Sequence, residues 1–268
     1  MLGAIIGDIA GSRYEWNNIK TKNFELLNSM KCFFTDDTVM TLAVAKSLLE
    51  CNGNYNNLSE IAINNMVEIG RKYPDCGFGG NFYKWIMTDN HEPYNSFGNG
   101  AAMRVSACGI VGKNLEEVKT LSRKVTEISH NHPEGIKGAE AVACAVYLAN
   151  NGKNILEIRN FIQKNYYDLN FKLDDIRSNY SFDVSCQGSV PQALEAFFES
   201  TSFEDSIKNA ISIGGDSDTI AAITGGIAAA YYGIPNSIRK KALSFLDEQL
   251  LKILIDFENR YGYKKLPS

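Results

Sequence analysis

Thr35-Asp36-Asp37-Thr38-Val39-Met40-Thr41-Leu42-Ala43-Val44-Ala45-Lys46-Ser47-Leu48-Leu49-Glu50 is the stretch on which the fold class turns. Within it Val39, Leu42, Ala43, Lys46 and Leu49 recur near a 3.6-residue period. The threonine and paired aspartates ahead of them are what a helix start prefers, so 37–50 reads as a helix with an acidic N-terminus. Similar patterns predict helices over 58–72, 101–111, 115–128, 134–150, 155–164, 190–198, 203–211 and 238–261. Pro235 and Ser237 open the last of these and Gly262 closes it. Period-2 alternation is almost absent and no strand-turn-helix unit repeats, which argues against a parallel α/β sheet and a β-sandwich alike. The chain reads as all-α.

Its bulk properties agree. The 268 residues are 44% hydrophobic, enough for one large core, and a single domain over 1–268 is the expectation. Lys+Arg 27 against Asp+Glu 31 leaves a net charge of −4, too mild to draw nucleic acid or an anionic membrane surface. Cys32, Cys51, Cys76, Cys108, Cys144 and Cys186 are scattered and never form CxxC, which suits a reduced cytoplasmic setting over a zinc ribbon or redox pair. Asp8 interrupts the first apolar run too early for a signal peptide. The charge-free stretch 219–235 is shorter than the ~20 apolar residues of a membrane span, so no membrane segment is expected.

Asp36 and Asp37 taken alone read as an N-cap with a helix-dipole complement. Adjacent carboxylates repel, however, and a second one is tolerated best when a cation neutralises both. Gly214-Gly215-Asp216-Ser217-Asp218-Thr219 offers another carboxylate pair, again opening an apolar helix and again beside a threonine. Two such clusters give the all-oxygen donor set that Mg²⁺, Mn²⁺ or Ca²⁺ prefers over zinc. The expectation is that they meet at a hydrolytic site binding hard divalent ions.

Gly7-Asp8-Ile9-Ala10-Gly11-Ser12-Arg13-Tyr14-Glu15 puts two glycines on one face of a first helix and Glu15 one turn beyond. Gly98-Asn99-Gly100-Ala101-Ala102-Met103-Arg104 is a glycine-rich turn before a helix, where backbone N–H groups can meet a phosphate or simply make a turn. Ser129-His130-Asn131-His132-Pro133 is a poor zinc set, and a polar contact or helix-end role suits its histidines better. Asp174-Asp175 lacks flanking threonines and reads as a solvated loop. The segment 165–188 is polar yet carries five aromatics, and its role stays open. No GxSxG or GxxxxGKS stretch occurs.

In this order, Gly7-Asp8-x-x-Gly11-x-x-x-Glu15, Thr35-Asp36-Asp37-Thr38, Gly98 to Arg104, Ser129-His130, Ser189-Val190-Pro191 and Gly214 to Thr219 resemble the ADP-ribosylglycohydrolase family over almost the whole chain. The resemblance implies a compact orthogonal helical bundle with two Mg²⁺ or Mn²⁺ ions in a cleft, hydrolysing the N- or O-glycosidic bond at C1″ of ADP-ribose. It implies Thr35, Asp36, Asp37, Asp216, Asp218 and Thr219 as metal ligands. Gly98, Asn99, Gly100, Ala101, Ala102, Met103 and Arg104 resemble the loop around the diphosphate and distal ribose, and His130 resembles a substrate-contacting histidine. Attack of an activated water through an oxocarbenium-like state would draw on Asp37, Asp216 or Asp218 as general base and Glu15 for the leaving group, roles the residues alone leave open. An ADP-ribosylated protein, arginine-linked first, or a small ADP-ribose conjugate is the implied partner. In the 165–188 segment, aromatics that could stack on adenine match no motif of the family.

Two other readings compete. A non-catalytic ADP-ribose-binding or immunity-type blocking protein would use the same cleft, but a pure binder need not retain every ligand carboxylate. An isoprenoid-type synthase needs DDxxD spacing, and Asp36-Asp37-Thr38-Val39-Met40 lacks the third aspartate.

Overall fold

Two helices that are apolar on every side, Leu2–Gly11 and Ser217–Tyr232, form the centre of the molecule. Every residue of the first is buried, and so is the second from Ser217 to Ala230. A helix without a polar face can only sit inside. Their small residues let them approach unusually closely: a Cβ on Gly7 would lie 1.9 Å from the carbonyl oxygen of Ala221, and one on Gly3 2.1 Å from that of Gly225. The computed structural model describes residues 1–262; positions 263–268, the end of the single domain expected from the sequence, lie outside the described residues.

Around this pair pack Pro133–Asn150, Cys186–Phe198 and Phe203–Ser212, with Asp36–Glu50 against Leu2–Gly11 and Leu58–Gly70 and Glu248–Tyr261 against Asp36–Glu50. Among the described residues there is no strand, and a single antiparallel bridge joins Gly98 to Ser185. The all-α expectation holds.

Several boundaries differ from the sequence reading. The helix expected over 101–111 is two, Gly100–Met103 and Ser106–Val111. Between them Arg104 (φ −97°, ψ −2°) leaves the helix while its guanidinium turns inward to the Val125 carbonyl and the Ser129 hydroxyl, 3.1 and 2.8 Å away. A buried cation must find acceptors, and that requirement overrides the helical pattern. The helix expected over 238–261 divides into Asn236–Leu243 and Glu248–Tyr261, because Asp247 caps the second piece by accepting the Leu250 N–H at 2.9 Å. Cys186–Phe198 starts four residues before the expected 190, capped by Ser185, with Pro191 inside. Asp174 and Asp175 are solvated as expected but sit in the short helix Leu173–Ile176 rather than a loop, where Asp175 accepts the Lys172 N–H at 3.2 Å and Asp174 pairs with Arg177. Gly80–Met87 carries no strong sequence signal and was not anticipated.

Candidate active site

The N-termini of Asp36–Glu50 and Ser217–Tyr232 converge on one cleft, so their partial positive ends face the same carboxylates. Neither acidic cluster is spent on capping. Thr35 is the N-cap of the first helix and accepts the Asp37 N–H at 3.3 Å, while Asp216 makes no side-chain capping bond to the second. Gly214 and Gly215, at φ +70° and +76°, make the turn that aims Asp216, and a side chain on Gly215 would strike the Tyr180 ring. Asn18 pins that turn by accepting the Gly215 N–H at 2.7 Å and donating to its carbonyl at 2.9 Å.

One oxygen each from Asp8, Asp37 and Asp218 lie within 4.8 Å of one another, and so do oxygens from Glu15, Asp216 and Asp218. Asp218 is common to both groups. Thr219 Oγ1 donates to Asp37 Oδ2 at 3.1 Å and Asn99 Nδ2 to Asp216 Oδ2 at 2.7 Å. Asp37 Oδ1 is buried with no hydrogen-bond partner. Asp36 belongs to neither group, although it lines the same cleft. Thus the structure brings Asp37, Asp216, Asp218, Glu15 and Thr219 together and holds Thr35 behind them, its hydroxyl donating to Asp8 at 2.7 Å.

Asp8 joins this carboxylate group although the sequence reading gave it no role. It is fully buried, and its carboxylate accepts four hydrogen bonds: the Thr35 N–H at 2.9 Å, the Thr38 N–H at 3.1 Å and both threonine hydroxyls. The signal was present, since a carboxylate inside an apolar helix must have partners or a counter-ion.

Burial and mutual repulsion push this whole set upward. Burial raises Asp8 to about 6 against the four bonds that favour its charged form. Burial, then Asp216 and Asp8, raise Glu15 to about 7; burial, then Asp8 and Asp216, raise Asp36 to about 8. Asp37 and Asp218 stand well above the usual carboxylate range, first through burial and then through their neighbours. Divalent cations relieve both penalties at once. The unpartnered Asp37 oxygen and the all-oxygen donor set fit such ions and not zinc.

The cleft has a volume of about 460 Å³, within the range of small-molecule sites. Gly98, Asn99, Gly100, Met103 and Arg104 border it, whereas Ala101 and Ala102 are fully buried behind the turn. The Asn99 N–H donates to the Val184 carbonyl at 2.7 Å, tying this loop to the 165–188 segment. His130 also borders the cleft, its ring 5.8 Å from Phe82 and 5.7 Å from Tyr94. Burial and then Arg104 hold its pKa well below the ordinary value. His132 instead caps Pro133–Asn150, accepting the Glu134 N–H at 3.1 Å, the helix-end role expected of the pair. At the mouth beside Glu15, Trp16 and Phe182 stack with centroids 5.0 Å apart, and Trp16 is 75% exposed. Phe182 is the aromatic of the 165–188 segment that borders the cleft, while Tyr167 packs into the core. No pattern in the sequence singled out Trp16, Phe82 or Tyr94.

Comparison with known proteins bears on what this cleft is. The family described as ADP-ribosylglycohydrolase matches residues 1–263. The ADP-ribosylhydrolase ARH3 of Xenopus tropicalis is 26% identical over 93% of this chain and 91% of its own, and that of Homo sapiens 24% identical over 94% and 90%. The ADP-ribosylarginine hydrolase Tri1 of Pseudomonas putida (strain GB-1) is 28% identical over 62% of this chain and 48% of its own. A solved structure described as an ADP-ribosylglycohydrolase-related protein complex superposes with a TM-score of 0.71 at 21% identity, covering 97% of this chain and 95% of that one, a likeness of fold.

Proposed function

The chain belongs to the ADP-ribosylglycohydrolase family of glycosyl hydrolases, and from that premise we propose that its cleft hydrolyses the glycosidic bond at C1″ of ADP-ribose. The substrates are ADP-ribosylated protein side chains, arginine-linked first, or small ADP-ribose conjugates. The observation that carries this reading is the pair of carboxylate groups sharing Asp218 in a cleft of about 460 Å³.

Thr35, Asp36, Asp37, Asp216, Asp218 and Thr219, with Asp8 added, would hold two divalent ions, Mg²⁺ or Mn²⁺. Bound there, such ions would supply Lewis-acid orientation of the ribose hydroxyls and of the attacking water. The protein's own groups do the rest. Asp37, Asp216 or Asp218 takes the proton of the attacking water, and Glu15, beside Asp216 and Asp218, assists the leaving group. The Gly98–Gly100 backbone receives the diphosphate, with Ala101 and Ala102 shaping the turn and Met103 its floor. Trp16 and Phe182, next to Glu15, face the leaving group and offer a planar surface on which a guanidinium stacks. That the similar Pseudomonas protein is an ADP-ribosylarginine hydrolase by name supports arginine. The free cysteines suit the reducing cytoplasm, where we place the protein; no described helix is long and apolar enough to cross a membrane.

The test is incubation with arginine-, serine- and O-acetyl-linked ADP-ribose, with Mg²⁺ or Mn²⁺ and with EDTA. Free ADP-ribose is expected with metal, lost in EDTA and reduced at least about 100-fold in Asp218→Asn. Full activity of that variant in excess EDTA would overturn the reading, and ADP-ribose binding without turnover of any conjugate would turn it into that of a blocking protein.

A further inference from the structure

At the wall of the cleft, three side chains form a hydrogen-bonded row whose polarity is set by chemistry. Arg104 is fully buried, and its Nη2 donates to Ser129 Oγ at 2.8 Å as well as to the Val125 carbonyl. Ser129 Oγ lies 2.8 Å from His130 Nδ1. A guanidinium has no acceptor, so the hydroxyl must accept from it and keep its own proton to give. Ser129 Oγ makes no further hydrogen bond among the described residues and is itself fully buried. Among the described residues the sole acceptor for that proton is His130 Nδ1. If Nδ1 carried the ring proton instead, the serine hydroxyl proton would be buried without a partner, which costs about 1–3 kcal/mol.

We propose that Arg104 and Ser129 are positioning residues that lock His130 in the Nε2–H tautomer, presenting a fixed donor to an acceptor oxygen of the ligand beside the Gly98–Gly100 loop. Nε2 makes no hydrogen bond within the described protein, and His130 borders the cleft. A Cβ on Gly100 would lie 3.3 Å from Nε2 and one on Gly98 3.6 Å, so the absence of side chains there is what leaves the donor accessible. The oxygen it meets must be a pure acceptor, as a phosphoryl oxygen is, or a hydroxyl whose own proton points elsewhere. That this oxygen belongs to ADP-ribose rests on the function proposed above; the tautomer does not.

The protein supplies its own references for the measurement. His91 Nδ1 is 2.7 Å from the Trp85 carbonyl and must carry a proton, whereas His132 Nδ1 accepts the Glu134 N–H. In long-range proton–nitrogen spectra of the full chain labelled with 15N-histidine, in Mg²⁺ at neutral pH, His130 is expected to show an unprotonated Nδ1 and a protonated Nε2, opposite to His91. A protonated Nδ1, in either the neutral or the doubly protonated ring, overturns the proposal whether or not any conjugate is cleaved. Added ADP-ribose is expected to move the Nε2 signal, and an unmoved signal overturns the ligand contact. Ser129→Ala is expected to release the tautomer preference and weaken ADP-ribose binding about tenfold, raising KM with kcat little changed, and Ser129→Thr to restore both. An alanine variant with unchanged tautomer and affinity removes Ser129 from the role.

Discussion

Asp8 shows how much one residue can organise. Its Oδ2 accepts three of its four hydrogen bonds and Oδ1 only the Thr35 hydroxyl. An asparagine here keeps them all, because its amide oxygen takes the Oδ2 position and its NH₂ turns to Thr35 Oγ1, which can accept. Asp8→Asn is therefore expected to fold, to be at least as stable as the parent in EDTA because one repelling charge is gone, and to lose most of its thermal stabilisation by Mg²⁺ or Mn²⁺. Calorimetry with and without the cation checks this; a cation-linked shift equal to that of the parent would remove Asp8 from the ion-binding set. Asp8→Ala leaves two buried N–H donors unpaired and is expected to lose about 2–6 kcal/mol. At this scale the sequence was legible where carboxylates cluster at helix starts, as with Asp37, Asp216 and Asp218, but not at the lone Asp8 inside an apolar helix. It was silent on Trp16, Phe82 and Tyr94, since an aromatic at helical or loop spacing reads the same whether it packs in a core or lines a cleft.

Among the elements, the close crossing of Leu2–Gly11 with Ser217–Tyr232 sets the geometry of the site, because Asp8 and Asp218 ride on these two helices. Gly11 also meets Asp218 itself, where a Cβ would lie 2.5 Å from the Asp218 Cα. Gly7→Ala places a methyl group against backbone that cannot yield, and the helices must separate. The expected loss is about 3 kcal/mol, a fall in Tm of roughly 6–12 °C, with weakened cation binding from the parted carboxylates. Thermal unfolding checks the first and cation titration the second; an unchanged Tm would show that the contact is looser than the structure has it. Element existence was readable from periodicity over most of the chain. The breaks at Arg104 and at Asp247 were not, because a partner far along the chain decides the first and a capping bond outweighs a continuous apolar stripe at the second.

For the molecule as a whole, the carboxylate cluster opposes the fold when no cation is bound. Asp8, Glu15 and Asp36 have folded-state pKa values raised to about 6, 7 and 8, above the values of 3.8, 4.5 and 3.8 expected of the open chain. A raised carboxylate binds its proton more tightly in the folded state, so its stabilising contribution is complete below about pH 4 and is lost as pH rises through 6 to 8. The Tm of the cation-free protein is expected to fall between pH 5 and pH 8, and Mg²⁺ or Mn²⁺ to raise it strongly at pH 8 and little at pH 5. A cation-free Tm that rises over that interval would contradict the electrostatic account of the cluster. From the sequence alone came the all-α class, the two acidic helix starts and the family, because periodicity, capping preference and ordered motifs are local properties of the chain. Only the tertiary structure decided that Asp8 joins the carboxylates, that Asp36 stands apart from both groups, that the Arg104 guanidinium is buried against Ser129, and that His130 Nδ1 meets the Ser129 hydroxyl. Each of these depends on distances, most of them between residues far apart in sequence, which burial and hydrogen-bond pairing set only when the helices have packed.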